Sequence, residues 1–262
     1  MAQAGLSGVD FMARYDFRSP RLFVAGPLRQ GAAVTLDAGQ AHYLAHVLRL
    51  KAGDPVLIFN GTDGEWKAHL AATVRRQAAL RVEALARPQT EAGDLHYLFS
   101  PLKHARLDYM VQKAVEMGAS RLVPVMMRHT AAGRVNAGRM RANAIEAAEQ
   151  CGILAIPQIM APSDFADAIA ALAPSRHLVF CDEEAPCADP VLALRREIGD
   201  ARPDGGLAVV IGPEGGFAED ERAVLLSRPR TVRIALGPRI LRADTAAVAA
   251  LAVVQAAAGD WR

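Results

Sequence analysis

The chain has 262 residues, 52% of them hydrophobic and 22% charged, which is enough apolar material for a packed core and argues against wholesale disorder. The net charge of +2 is too small by itself to indicate a nucleic-acid partner. Its distribution carries more, because residues 21–90 hold nine Lys/Arg against five Asp/Glu, a balance of +4. Cys151, Cys181 and Cys187 form no disulfide framework and no metal-ligand spacing, and an odd count suits a reducing compartment. Residues 1–20 carry Asp10, Arg14, Asp16 and Arg18 without the apolar centre of a signal peptide. The longest apolar stretch, residues 246–258, is interrupted by Gln255 and too short to cross a bilayer. A cytoplasmic chain without membrane contact is expected.

In chain order, residues 1–20 mix Gly, Ser, Asp and Arg without period and are read as a flexible extension. Over 21–87 short β-rich runs dominate. An apolar run at 55–59 is followed by the turn signals Asn60-Gly61 and Asp63-Gly64, and strands are predicted over 65–74 and 78–85. One helix is predicted over 40–50, with Tyr43, Leu44, Val47 and Leu48 on one face. The expectation is a small β barrel with an inserted helix, followed by a linker at 87–94.

From residue 95 strands and helices alternate. Strands are predicted over 95–100, 121–126, 177–181, 207–211 and 232–236. Leu107, Met110, Val111, Ala114 and Val115 fall at helical spacing with Gly118 as a stop, and a second helix spans 139–150, ended by Gly152. Such alternation implies an α/β domain over 95–262 whose mostly parallel sheet is covered on both faces. The last helix, 245–258, is apolar around its circumference, so it is expected to be buried against the sheet or a partner subunit.

Four segments carry candidate chemistry. Ile211-Gly212-Pro213-Glu214-Gly215-Gly216-Phe217 follows an apolar strand and precedes a helix predicted over 218–226. Ligands of parallel α/β sheets bind at that end of the strands, and glycines admit close backbone approach. An ordinary tight turn explains the spacing equally well, and the motif is not a dinucleotide fingerprint. Leu236-Gly237-Pro238-Arg239-Ile240-Leu241-Arg242-Ala243-Asp244-Thr245 also lies between strand and helix, with Asp244 or Thr245 placed to cap the helix. Its arginines suit phosphate or carboxylate, or are merely solvated. Lys103-His104-Ala105-Arg106 puts cations at a helix N-terminus, against the dipole, and suits RNA phosphates or a solvated turn. His42 and His46 stand one helical turn apart near Arg49 and Lys51. No third ligand accompanies them, so a basic RNA-facing surface is favoured over a metal site.

Together these segments resemble the RsmE family of 16S ribosomal RNA uracil-N3 methyltransferases, in the SPOUT superfamily. The markers are RLFV at 21–24, HYLAHVLRL at 42–50, KHARLDYMVQKAVEMG at 103–118, EAAEQCG at 146–152, IGPEGGF at 211–217 and LGPRILRADTA at 236–246. The resemblance implies a PUA-like barrel, then a SPOUT α/β domain with a deep trefoil knot, and a homodimer. It also implies methylation of N3 of the 16S rRNA uridine called U1498, within the small ribosomal subunit, with S-adenosyl-L-methionine as cofactor and no metal. By position, the cofactor pocket falls on Ile211, Gly212, Pro213, Glu214, Gly215 and Gly216, on Leu236, Gly237, Arg239, Ile240 and Leu241, and near Asp182. Arg242 matches a family arginine near methyl transfer, where it would stabilise charge on the uracil oxygens. Asp244 is a possible base whose capping role competes.

RNA contacts are expected from Arg21, His42, His46, Arg49, Lys51, Arg75 and Arg76, and from Lys103, His104 and Arg106. Two departures stand out. The family often has Glu where this chain has Asp244, and Arg where it has Ile153. A SPOUT methyltransferase acting on another RNA, and a non-catalytic RNA-binding or ribosome-assembly module, are the rival readings.

Overall fold

The computed structural model describes residues 19–71, 78–103, 105–186, 189–199 and 203–261. Expectations for residues 1–18, Arg75, Arg76, His104 and Cys187 lie outside them. The chain divides into two compact units, Met1–Thr90 and Glu91–Arg262.

The first unit is a curled five-stranded sheet, β1 (Arg21–Phe23), β2 (Ala33–Thr35), β3 (Pro55–Phe59), β4 (Glu65–Leu70) and β5 (Ala79–Arg87), ordered β1-β3-β4-β5-β2. β1 runs parallel to β3, and the other ladders are antiparallel. Leu22, Leu44, Val56, Ile58, Leu80 and Val82 form the heart of its core. The Asn60 side chain organises the β3–β4 turn by accepting from the N–H groups of Thr62 and Asp63. Gly64, at φ +82, leaves no room for a Cβ, which would stand 2.5 Å from the Arg87 carbonyl oxygen. β4 spans Glu65–Leu70, the predicted continuation over 72–74 lying outside the described residues, and β5 runs on to Arg87.

The inserted helix α1 (Ala38–His42) begins with a capping box in which Asp37 and Gln40 accept each other's backbone N–H. It passes into a π-helical turn, Tyr43–Val47, closed by Leu48 N–H donating to the Tyr43 carbonyl. The helical path ends earlier than expected, because Arg49 takes φ +56.

In the second unit, β6 (Leu95–Phe99), β7 (Arg121–Met126), β8 (Gln158–Ile159), β10 (His177–Cys181), β11 (Leu207–Ile211) and β12 (Thr231–Ile234) form a sheet ordered β12-β10-β11-β6-β7-β8, and β9 (Ser163–Asp164) pairs with β7. Every ladder is parallel. The central strands β10 and β11 are apolar runs matching their predicted limits, as strands buried on both faces should be. β12 is displaced, starting at Thr231 and ending at Ile234.

Helices α2 (Ala105–Glu116), α3 (Ala137–Cys151), α5 (Pro190–Ile198) and α7 (Ala243–Ala258) pack with one another, and α7 lies against β11. On the other face, α4 (Phe165–Ala170) and α6 (Glu219–Ser227) bury Phe165, Ile169 and Leu225 against Leu98, Leu178, Phe180 and Val210. α4 and α5 had no predicted counterpart. Gly152 ends α3 in the left-handed conformation, as its position suggested. In α7, Ala247, Ala250, Leu251 and Val254 are buried within this chain, while Thr245 is exposed and Val248, Ala249, Ala252 and Val253 are partly so. The helix is apolar on both faces, as expected, but this chain buries only one of them and leaves the outer face partly exposed.

Candidate active site

Three adjacent parallel strands, β12, β10 and β11, deliver their carboxyl-end loops to one edge of the sheet. The loop after β11 holds the glycine-rich segment. A Cβ on Gly212 would stand 2.6 Å from the Phe217 ring, which packs edge-on against Phe180 with centroids 5.1 Å apart. Gly216 takes φ +75 and closes a turn through its N–H to the Pro213 carbonyl, 2.9 Å away. The helix that follows is capped from within, as Glu221 accepts from the Ala218 N–H at 2.9 Å.

The second oxygen of Glu221 accepts from the Arg128 N–H at 2.8 Å. It thereby ties the glycine loop to the segment after β7, where Arg128 also pairs with Asp220. His129 Nδ1 meets the Gly216 carbonyl oxygen at 3.0 Å, and the hydroxyls of Thr130 and Ser100 lie 2.9 Å apart. The sequence reading missed this Arg-His-Thr clamp. Its signal was available, since it is a polar triplet following an apolar parallel strand, at the ligand-binding end.

Asp182, after β10, is buried, and its carboxylate is occupied by Arg222, by Arg233 at 2.8 Å and by the Glu184 N–H at 3.1 Å. Burial alone would raise its pKa, but these donors hold it below the ordinary value. Its side chain thus braces the loop. Cys181 beside it is no nucleophile, because burial and the Asp182 charge push its thiol up to about 12.

In the loop after β12, Gly237 takes φ +94, Arg239 and Arg242 are exposed, and Ile240 is 90% exposed. Arg242 itself stands at the α7 N-cap position without capping through its side chain. Asp244 and Thr245 are therefore not the cap, and Asp244 sits inside the first turn with its carboxylate accepting from the Thr245 N–H at 2.9 Å. Cβ atoms on Gly216 and Gly237 would meet nothing within 4 Å, so backbone is approachable, and Ile240 offers uncovered apolar surface.

A small cleft of about 60 Å³ adjoins the glycine loop, lined by Ser100, Leu102, Lys103, Arg106, Pro213 and Glu214 among others. Arg106 forms an ion pair with Glu214, and its Nε lies 3.5 Å from Asp244. The expected basic cluster thus puts Arg106 into the site, its charge answered by two carboxylates, while Lys103 is exposed at the cleft.

Arg21 does not take the RNA-facing position expected of it. Its guanidinium is buried in the first unit, where Arg21 Nε and Arg87 Nε bind opposite oxygens of the buried Glu65 at 2.7 and 2.8 Å, so it is not an RNA-facing cation. His42, His46, Arg49 and Lys51 are exposed, the two imidazoles with centroids 4.8 Å apart. Among the described residues no cluster of three or more His, Cys, Asp or Glu is placed to hold a metal, and no helix is long and apolar enough to cross a membrane.

Residues 89–255 match the family model described as RNA methyltransferase domain. The chain belongs to this family. Residues 36–83 match a second model, RNA methyltransferase PUA domain, so the curled sheet of the first unit is PUA-like. Among curated relatives, Ribosomal RNA small subunit methyltransferase E of Rickettsia conorii is 29% identical, over 90% of this chain and 94% of that protein. Of solved structures, a Legionella pneumophila protein described as a methyltransferase in complex with SAM is 25% identical, with TM-score 0.79 over 92% of this chain and 98% of that one. Ribosomal RNA small subunit methyltransferase E of Neisseria gonorrhoeae shares the fold at 24% identity, with TM-score 0.79 over 94% of this chain and 100% of that one.

Proposed function

We propose that the chain methylates N3 of a uridine in the 16S rRNA of the small ribosomal subunit, using S-adenosylmethionine, and works as a cytoplasmic homodimer with a knotted cofactor domain. The observation that carries this reading is the convergence of the loops after β10, β11 and β12 on one edge of the sheet, within a chain of the RNA methyltransferase family. The cofactor, when bound, supplies an electrophilic methyl group. The backbone of Gly212–Gly216 and the loop Leu236–Leu241 would hold it, with Ile240 covering apolar surface. Arg242, exposed at the start of α7, would stabilise charge on a uracil oxygen. Asp244 holds Arg106 in place instead of acting as the base.

In the first unit, His42, His46, Arg49 and Lys51 would meet RNA, their cationic members favouring phosphates. The decisive experiment incubates the purified chain with cofactor and unmethylated small subunits, then digests the rRNA and analyses its nucleosides by mass spectrometry. N3-methyluridine at a single position supports the reading. Cofactor binding by calorimetry without any methylated nucleoside favours the non-catalytic module.

A further inference from the structure

We propose that the Arg106–Glu214 pair is the seat for the imide edge of the target uracil, with Glu214 accepting the N3 proton and Arg106 donating to an adjacent carbonyl oxygen. This rests on the methyltransferase reading. The cleft shares Pro213 and Glu214 with the glycine loop but takes Ser100–Lys103 and Arg106 from the β6–α2 segment, so it adjoins the cofactor edge without being made by it. Its volume of about 60 Å³ suits the edge of a ring rather than a whole nucleotide.

The chemistry matches that edge. Uracil presents a carbonyl acceptor, an N–H donor and a second carbonyl acceptor in a row. Arg106 Nη1 binds Glu214 Oε1, which leaves Oε2 to accept from N3–H and the remaining guanidinium N–H groups to donate to a carbonyl oxygen. Of the two carboxylates beside Arg106, Glu214 is the accessible one, its side chain 47% exposed against 17% for Asp244. Asp244 also accepts from the Thr245 N–H. It therefore orients Arg106, while Glu214 faces the cleft.

In the step itself the N3–H bond breaks, the proton passes to Glu214, and the electron pair stays on N3, its charge spread over the carbonyl oxygens and met by Arg106. The same pair rejects cytosine, whose N3 is an acceptor and would face the carboxylate lone pairs.

The test uses the full chain with short single-stranded RNAs, identical except for one uridine, cytidine or N3-methyluridine, in fluorescence anisotropy titrations. The wild type is expected to prefer uridine over both others by roughly tenfold, the discrimination of one paired contact. Glu214→Ala is expected to abolish the preference while retaining its melting temperature. Glu214→Gln leaves its one oxygen with Arg106 and turns an amide N–H donor toward N3, so it is expected to lose the preference for uridine over cytidine and to slow single-turnover methylation on the order of a hundredfold. That deficit should shrink as rising pH ionises N3 without help. Equal wild-type binding of the three RNAs, a preference that survives in Glu214→Ala, or a pH-independent deficit in Glu214→Gln overturns the assignment. The methyltransferase reading fails separately, if the wild type neither binds S-adenosylmethionine in calorimetry nor methylates rRNA, and the assignment falls with it.

Discussion

His129 reaches back onto the glycine-rich loop, its Nδ1 3.0 Å from the carbonyl oxygen of Gly216. Because a carbonyl only accepts, Nδ1 carries the proton. A Cβ on Gly215 would sit 3.2 Å from the His129 Cβ, so a larger side chain there first displaces the histidine and loosens the loop. Gly215→Val is expected to weaken S-adenosylmethionine binding by at least about tenfold, measured by calorimetry beside the melting temperature. Gly215→Ala asks the histidine to move by only a few tenths of an ångström and should keep most of the affinity. Full affinity in the valine variant removes the loop from the cofactor site.

The central strands were legible because parallel strands buried on both faces are written as apolar runs. The glycine loop and the Leu236–Leu241 loop were legible as glycine-rich or polar breaks at strand ends, whereas Arg106 was read as an RNA contact and its pairing with Glu214 and Asp244 was not foreseen. Arg21 was not, because the residue that decides its role, Glu65, lies 44 positions away, and a basic residue near a chain start looks the same whether it faces solvent or a buried carboxylate. The helix cap was missed for a related reason: Asp244 has the right chemistry, but backbone geometry puts Arg242 at the cap. Short elements such as β2 and β9 have too few residues to show a period.

Glu65 gives the first unit a sharp stability test. It is 1% exposed and pairs with both Arg21 and Arg87, so Glu65→Ala removes the buried carboxylate that the two guanidinium groups share. A loss of about 3–5 kcal/mol is expected, read by urea unfolding. A change below about 1 kcal/mol would mean that solvent reaches the arginines.

In the second unit, stability should depend on pH through His96. Burial, then Arg176 and Arg121, lower its pKa from 6.5 to about 4, partly offset by Asp94. The unfolded chain therefore holds this proton more tightly than the folded one. Its contribution is complete above about pH 6.5 and is lost as pH falls toward 4, for a total on the order of 3 kcal/mol. His177, whose pKa is also lowered by burial and by Arg230 and Arg228, adds in the same direction. Urea titrations between pH 5 and pH 7 should show stability rising with pH, and His96→Gln should flatten that rise. An unchanged slope in the variant would assign it to other groups.

The dimer prediction turns on which face of α7 is free. Ala250 is completely buried within this chain, so a charge there would unfold the domain whether or not a partner exists, and Ala250→Glu tests nothing about assembly. Ala252 lies on the outer face with Thr245, Val248, Ala249 and Val253, all at least partly exposed. Small residues let two helices approach closely, and burying this face against another copy would remove apolar surface that the chain itself leaves wet. A carboxylate in the middle of such an interface would be desolvated without a partner and should cost several kcal/mol of association. On a solvated face it should cost almost nothing. Ala252→Glu is therefore expected to give a monomer with the wild-type circular dichroism spectrum and sharply reduced methyl transfer, while Thr245→Glu, at the rim of the same face, should have a smaller effect. Light scattering that shows Ala252→Glu dimeric and active would take α7 out of the interface, and a wild type that is monomeric and fully active would show that the site is complete in one copy.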